Sequence, residues 1–176
     1  GLNRKYKGLI AYINLFRFWM RKYFLGFEYA NVFLKRVDKK SVQLILKRNG
    51  AQIGSNCDIE SGLTFHNCKN YSNLAIGNNC HIGKNCFLDL RDKITIMDNV
   101  TISMECKLIT HQDVGKSKLS KKYPASHKPI IIESNVYIGA DSTVLMGCNL
   151  GELSLVGAKS LVRTNVNQNL IVAGVP

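Results

Sequence analysis

The sequence predicts an all-β solenoid preceded by a basic, aromatic-rich helical segment, and three observations predict it. Aliphatic residues recur at every sixth position: Ile53 and Ile59, then Ile76, Ile82, Leu88 and Ile94, and again Ile132, Ile138, Val144, Leu150, Val156 and Val162. This spacing matches neither the period of a helix, about 3.6 residues, nor sustained strand alternation. It marks short strands joined by turns, three to a triangular coil. The inward residues of each coil stack on those of the next, so the core is a column of Ile, Val and Leu. The fourth position after each aliphatic residue holds only small side chains, as a crowded inner corner requires. Cys57, Cys80, Cys86, Cys106 and Cys148 alternate there with Val100, Val136, Ser142, Ser154, Ser160 and Val166. Charge then separates the two parts. Residues 1–48 carry twelve Lys and Arg against Glu28 and Asp38, a net of +10, while residues 49–176 carry twelve basic and ten acidic side chains, a net of +2.

The helical segment, residues 1–49, comes first. It holds ten of the fifteen aromatic residues. Leu9, Tyr12, Ile13, Phe16, Trp19, Met20, Tyr23, Phe24 and Phe27 recur at helical spacing, with Arg17, Arg21, Lys22, Lys35 and Arg36 interleaved. Two readings stand: a helix on an anionic membrane surface through residues 1–48, or helices packed on the open first coil as a cap. Nucleic-acid binding needs a motif beyond positive charge, and none is visible. The apolar run from Leu9 to Phe16 is interrupted by Asn14 and ended by Arg17, so it resembles neither a signal sequence nor a bilayer span. Asp38 predicts the cap of a further helix to about Arg48, with Val42, Ile45 and Leu46 as its apolar stripe and Gly50 as its stop. Gly1, with no methionine before it, reads as an expression remnant or a processed start.

Residues 50–176 form the solenoid, interrupted twice. Function is expected at interruptions, because regular coils carry only packing. The first lies between Leu63 and Leu74 and reads as a bulge from one coil. The second, residues 112–129, carries Lys116, Lys118, Lys121, Lys122 and Lys128. Leu108 and Ile132 lie 24 residues apart, a whole number of repeats, so this loop is an excursion from a continuing coil with His111 at its base. The repeated cysteines read as small buried hydrophobes. No CxxC pair supports a zinc ribbon or a thioredoxin-like site, and thiols in this number suit a reducing cytoplasm.

The stretches Phe87–Ile96, Ile109-Thr110-His111-Gln112-Asp113 and Ile131–Ala140 resemble the hexapeptide-repeat acyltransferases, as do Val156-Gly157-Ala158-Lys159 and the ending Val172–Pro176. More narrowly, they are similar to sugar O-acetyltransferases of polysaccharide-synthesis clusters, with galactoside and maltose acetyltransferases as relatives. The resemblance covers about residues 50–176. It implies a left-handed parallel β-helix, a homotrimer, and acetyl-CoA bound between adjacent subunits as the acyl donor. No metal is implied. It also implies an enzyme that acetylates a sugar or glycan hydroxyl; with the thiols this reads as a cytoplasmic enzyme, at the inner face of the membrane if residues 1–48 bind lipid.

Within that resemblance His111 takes the position of the general base. Neutral imidazole accepts a proton near neutral pH, and such catalysis is typically worth about 10²- to 10⁴-fold. The competing reading is a loop histidine satisfied by water. Asp113 or a backbone carbonyl would fix the ring's tautomer. Asp89 follows a Leu-Asp pattern near the acceptor site, and it would equally cap a turn; His66 lines the acceptor side. Gly139, Ala140, Gly157 and Ala158 match positions that approach the pantetheine arm, although glycine there is also turn chemistry. A Thr-Lys-Asp common in the family is replaced by Arg163, Thr164 and Asn165. Positive charge for the CoA phosphates then falls to Lys159 or Arg163. Tyr137 stands where tryptophan is usual.

Three alternatives accompany this reading. Serine acetyltransferases place a histidine after a Gly-Leu or Gly-Ile segment. In Gly62–Asn67, His66 comes one residue sooner, and their Asp-x-His is missing. The γ-type carbonic anhydrases share the architecture and bind zinc through three histidines. His66, His81, His111 and His127 suffice in number but lack that family's pair five residues apart. A non-catalytic trimeric scaffold presenting the basic arm is the third.

Overall fold

The computed structural model describes residues 2–175, with side chains described at Tyr6 and from Gly8 onward. Gly1 and Pro176, the latter the last residue of the family-like ending, lie outside the described residues. The chain opens with three helices: α1 (Leu2–Leu25), α2 (Phe27–Leu34) and α3 (Lys39–Arg48). Gly26 separates the first two at φ +91°, a conformation that costs a residue with a Cβ. The apolar stripe therefore does not run on through Phe27 as its spacing suggests. Phe27 begins α2 and turns inward against Phe18 and Tyr71, at ring centroid distances of 6.3 and 5.4 Å. Asp38 caps α3 as predicted, its side chain accepting hydrogen bonds from the Lys40 and Ser41 amides. Val42, Ile45 and Leu46 are fully buried beneath α3.

The rest is a parallel β-solenoid of about six turns. Its first face stacks Gln52–Ile53, Leu74–Ile76, Ile94–Ile96, Ile130–Ile132 and Asn149–Leu150. The second stacks Asp58–Ile59, His81–Ile82, Thr101–Ile102, Tyr137–Ile138, Leu155–Val156 and Ile171–Val172. The third stacks Thr64–His66, Phe87–Asp89, Lys107–Leu108, Thr143–Val144 and Leu161–Val162. Every one of these pairings is parallel, so Ile59, Ile82, Ile102, Ile138 and Val156 lie one above another. Each is almost wholly buried, and burying such a side chain stabilises by about 1.5–3 kcal/mol relative to exposure.

The corners follow from the polar residues between the aliphatic positions. Asn56, Asn79 and Asn99 adopt left-handed φ of 55°, 56° and 58°, which Asn tolerates better than most side chains. They form a ladder: Asn56 Nδ2 donates to Asn79 Oδ1 at 2.9 Å, and Asn79 Nδ2 to Asn99 Oδ1 at 3.1 Å. Inside the corners sit the small residues. Cys80, Cys86, Cys106 and Cys148 are buried free thiols, and Cys57 is half-buried. The thiols of Cys80, Cys86 and Cys106 donate to carbonyls of the following coil, Met97, Ser103 and Gly139, at 3.0–3.2 Å. Ser142 Oγ does the same to Gly157 at 3.0 Å. Serine, cysteine and valine interchange at this position because all three are compact, and a thiol or hydroxyl donates where a carbonyl is within reach.

The first interruption is not simply a bulge. Its second half inserts Tyr71, fully buried, into the joint between helices and solenoid, against Phe18, Phe27 and Phe65. Tyr71 Oη donates to Asn31 Oδ1 at 3.0 Å, and Asn31 Nδ2 donates to the Phe65 carbonyl at 2.7 Å. This chain ties α2 to the first coil. Tyr71→Phe leaves the Asn31 acceptor unsatisfied in a buried site and is expected to cost about 1–3 kcal/mol in chemical denaturation, with unchanged far-ultraviolet dichroism.

Candidate functional site

The third face and the excursion loop build the site together. His66 and Asp89 end adjacent strands and are paired in register. One coil further on, the chain leaves the same face through Thr110 and His111. His111–Gln112 then pairs antiparallel with Ser126–His127, His111 opposite His127, forming the neck of the loop. The Lys128 amide donates to the Thr110 carbonyl at 2.9 Å and closes it. Beyond the neck lies a short turn of helix, Lys118–Lys121, whose side chains face solvent.

Asp89 is the centre of the polar network. Its carboxylate is fully buried, while His111 is 28% exposed. His111 Nδ1 lies 2.5 Å from Asp89 Oδ2. The same oxygen accepts from the Thr110 amide at 2.9 Å, and Thr110 Oγ1 lies within reach of Asp89 through the carbonyl at 2.8 Å. Asp89 Oδ1 accepts from the Arg91 amide and from Asn67 Nδ2, both at 3.3 Å. Burial pushes the carboxyl upward, but the hydrogen bonds from His111, Thr110 and Arg91 outweigh it and hold Asp89 below the ordinary aspartate range.

This geometry revises two expectations. Asp113 does not orient His111: its carboxylate turns into its own loop and accepts from the Gly115 amide at 2.7 Å. Asp89, expected at the acceptor or in a turn cap, occupies the orienting position and caps the turn at Arg91 as well. His111 and Asp113 nevertheless line one groove of about 300 Å³ with Asn67, Arg91, Gln112, Ala125, Ser126 and His127. His66 stands beside it, its ring centroid 6.2 Å from that of His111.

Three contributors were not expected from the sequence. Asn67 Nδ2 lies 3.3 and 3.4 Å from the two ring nitrogens of His111. His127 forms a second imidazole–carboxylate pair, Nδ1 to Asp92 Oδ2 at 2.7 Å. Arg91 brings the groove's guanidinium. The available signal was positional: Arg91 and Asp92 follow Asp89, and His127 ends the loop that His111 begins. Among the described residues no group of three or more His, Cys, Asp and Glu is arranged to hold a metal ion.

The residues expected to meet the acyl donor do not join this groove. Gly139 and Ala158 sit at the corner after the second face, in successive coils, whereas His111 leaves at the end of the third. A Cβ on Gly139 would collide with the backbone nitrogen of Ala158, so stacking alone demands glycine there. On Gly157 a Cβ would press on Ala173. Ala158, Lys159 and Arg163 are exposed, and Ala140 is half-buried.

Comparison with known proteins agrees with this architecture. A family model described as the hexapeptide repeat of succinyl-transferase matches residues 73–104 and 129–162. A galactoside O-acetyltransferase of Lactococcus lactis is 38% identical over 58 residues, 33% of this chain and 28% of the relative. A 2,3,4,5-tetrahydropyridine-2,6-dicarboxylate N-acetyltransferase of Clostridium perfringens is 43% identical over 53 residues, 30% of this chain and 22% of the relative. The matches thus span less than a third of the length of these curated relatives. Among solved structures, a hexapeptide-repeat acetyltransferase from Vibrio cholerae superposes with a TM-score of 0.71 at 25% identity, covering 81% of this chain and 82% of that one. A galactoside acetyltransferase in complex with coenzyme A superposes with a TM-score of 0.67 at 29% identity, covering 78% of this chain and 66% of that one.

The lowered Asp89 makes the site's contribution to folding dependent on pH. Because its folded-state value lies below the unfolded one, near 3.9, its stabilisation is fully present above that value and is lost as pH falls through the folded value. The stability gap between the protein and an Asp89→Asn variant should therefore narrow as pH falls below about 5, read by denaturant titration at each pH.

Proposed function

We propose that this chain, which belongs to the hexapeptide-repeat acyltransferase family, is an acetyl-CoA-dependent O-acetyltransferase acting on a sugar hydroxyl in cell-surface polysaccharide synthesis, with His111 as general base. The observation that carries this reading is the pairing of His111 Nδ1 with the buried Asp89 carboxylate at the edge of a polar groove. Asp89 holds the Nδ1 proton, and the Nε2 lone pair is left to accept the proton of an acceptor alcohol. As that proton moves to Nε2, the alcohol oxygen attacks the thioester carbon, the C–O bond forms and the C–S bond breaks. The proton then passes from the imidazolium to the departing thiolate. The charge on the ring during transfer is stabilised by Asp89, which needs no rearrangement to supply it.

The positions matched to the acyl donor, Gly139, Ala140, Gly157, Ala158, Lys159 and Arg163, lie off the His111 groove within one chain. Their separation supports a homotrimer in which acetyl-CoA runs along one protomer and meets the histidine of the next. Six free thiols suit a reducing compartment. A second reading, transfer to an amine, is favoured by the local identity to the N-acetyltransferase. The groove itself supports a polar, hydroxyl-rich acceptor: Asn67, Arg91, Gln112, Ser126 and His127 offer donors and acceptors around its rim.

Incubation with acetyl-CoA and a panel of glycans and amines, followed by mass spectrometry, tests the class of acceptor. A product ester on a glycan is expected, an amide alone replaces the acceptor assignment, and unconsumed thioester with every acceptor removes the reading. His111→Ala should lower kcat by about 10²- to 10⁴-fold with little change in the KM for acetyl-CoA. Steady-state kinetics of Asp89→Asn and Asp113→Asn then separate the two carboxylates. The first is expected to lose about 10-fold or more in kcat, and the second to stay within about twofold of the parent.

A further inference from the structure

Helix α1 has two apolar faces, and the protein uses one. Ala11, Leu15 and Phe18 are buried against the other helices, and Asn14 Nδ2 on the same side donates to Ser41 Oγ at 3.0 Å. The opposite side presents Leu9, Tyr12, Phe16, Trp19, Met20 and Tyr23 to solvent, at spacings of three and four that align them along one stripe. The exposure is large: 60% at Phe16, 45% at Trp19 and 84% at Tyr23. A contiguous apolar surface of this kind marks an interaction site, because scattered surface hydrophobes do not line up.

Charge decides what covers it. The α1 sequence contains six Lys and Arg, at positions 4, 5, 7, 17, 21 and 22, and no Asp or Glu. Arg17 and Arg21 lie toward α2, their guanidinium carbons 5.6 and 4.1 Å from the Phe33 ring centroid, so these two cations are held on the packed side of α1 and do not interrupt the apolar face. A second copy meeting this face would bring two uniformly cationic helices together, and the remainder of the chain is net basic as well, with 18 Lys and Arg against 12 Asp and Glu. Among the described residues no helix is long and apolar enough to cross a membrane. An exposed aromatic stripe on a helix that carries cations and no carboxylate suits a helix lying in the headgroup layer, where the rings enter the acyl boundary and the positive charge attracts anionic headgroups.

We propose that the outward face of α1 is a docking surface for an anionic phospholipid bilayer. The assignment is independent of the chemistry at His111. The lipid-facing helix rests on α2 and α3, and these in turn contact the first coil, so docking would tether the solenoid through that coil.

Trp19, the sole tryptophan, lies within the stripe and reports on it directly. With the full chain, vesicles of phosphatidylglycerol and phosphatidylcholine should shift its emission to the blue and carry the protein upward in a flotation gradient. Neutral phosphatidylcholine vesicles should do so far less, and added salt should weaken the effect. The exposed pair Phe16→Ser and Tyr23→Ser should reduce partitioning by about tenfold or more while leaving the thermal unfolding profile intact. The proposal is overturned if anionic vesicles produce neither shift nor flotation. It is equally overturned if the double variant floats as the parent does but changes its oligomeric state in sedimentation, since a second copy then covers the face.

Discussion

Coil-to-coil register is the constraint on which the rest of the molecule depends. A six-residue repeat fixes which side chain lies above which, and a slip of one residue would turn every inward aliphatic outward. Register on the third face sets His66 against Asp89 and Phe87 against Lys107. Asp89 thereby comes to rest directly beneath the point where the chain leaves at Thr110. No local sequence preference brings Asp89 and His111 together across 21 intervening residues; the stacking does. The catalytic proposal is thus a consequence of packing: a carboxylate is admitted to an apolar prism only at the level where backbone amides and an imidazole stand ready to receive it.

Burial of that carboxylate is costly by itself and becomes tolerable through saturation. Asp89 accepts from His111, from the Thr110 and Arg91 amides, and from Asn67. A buried charge with this many donors keeps its ionised form, and the imidazole it faces is restrained in both tautomer and orientation. Thr110 has a further task. Its hydroxyl oxygen accepts from the Asp92 amide at 3.0 Å, and Asp92 in turn faces His127 across the neck. The two imidazole–carboxylate pairs are therefore joined through one buried threonine, and the loop's entry and exit are fixed relative to each other before any acceptor arrives.

Much of this was legible in the sequence, and the failures share a cause. The aliphatic column, the small inner corners, the cap at Asp38 and the continuity of the coil across residues 112–129 all express short-range rules: a period, a propensity, a phase. Asp113 or a backbone carbonyl is what the sequence offers as the partner of His111, and nearness along the chain is misleading in a solenoid. Partners there lie about one coil apart in sequence, and Asp113 falls beyond the strand His111–Gln112, where its carboxylate serves the turn of its own loop. Tyr71 was hidden for a similar reason, since its role depends on α2 and Phe65, which only the fold assembles. The aromatic stripe of α1 was visible as a pattern. That it would remain exposed required knowing that Ala11, Leu15 and Phe18 supply the packing face, and that Gly26 ends the helix before Phe27.

The glycines matched to the acyl donor show where sequence likeness and physical necessity overlap. Gly139 lies directly under the backbone of Ala158, and a side chain there is excluded whether or not a pantetheine arm ever passes. Gly157 is under similar but weaker pressure from Ala173. Glycine at these corners is therefore uninformative about ligand binding, because the same close approach that would admit a ligand is already demanded by the next coil. Discrimination rests with residues whose side chains are not required by stacking. Lys159 is exposed and occupies a left-handed corner at φ 56°. Asn is the commoner choice at such corners in this chain, yet Glu105, Asp141 and Leu153 also hold them, so the corner sets the backbone and leaves the side chain open to other demands.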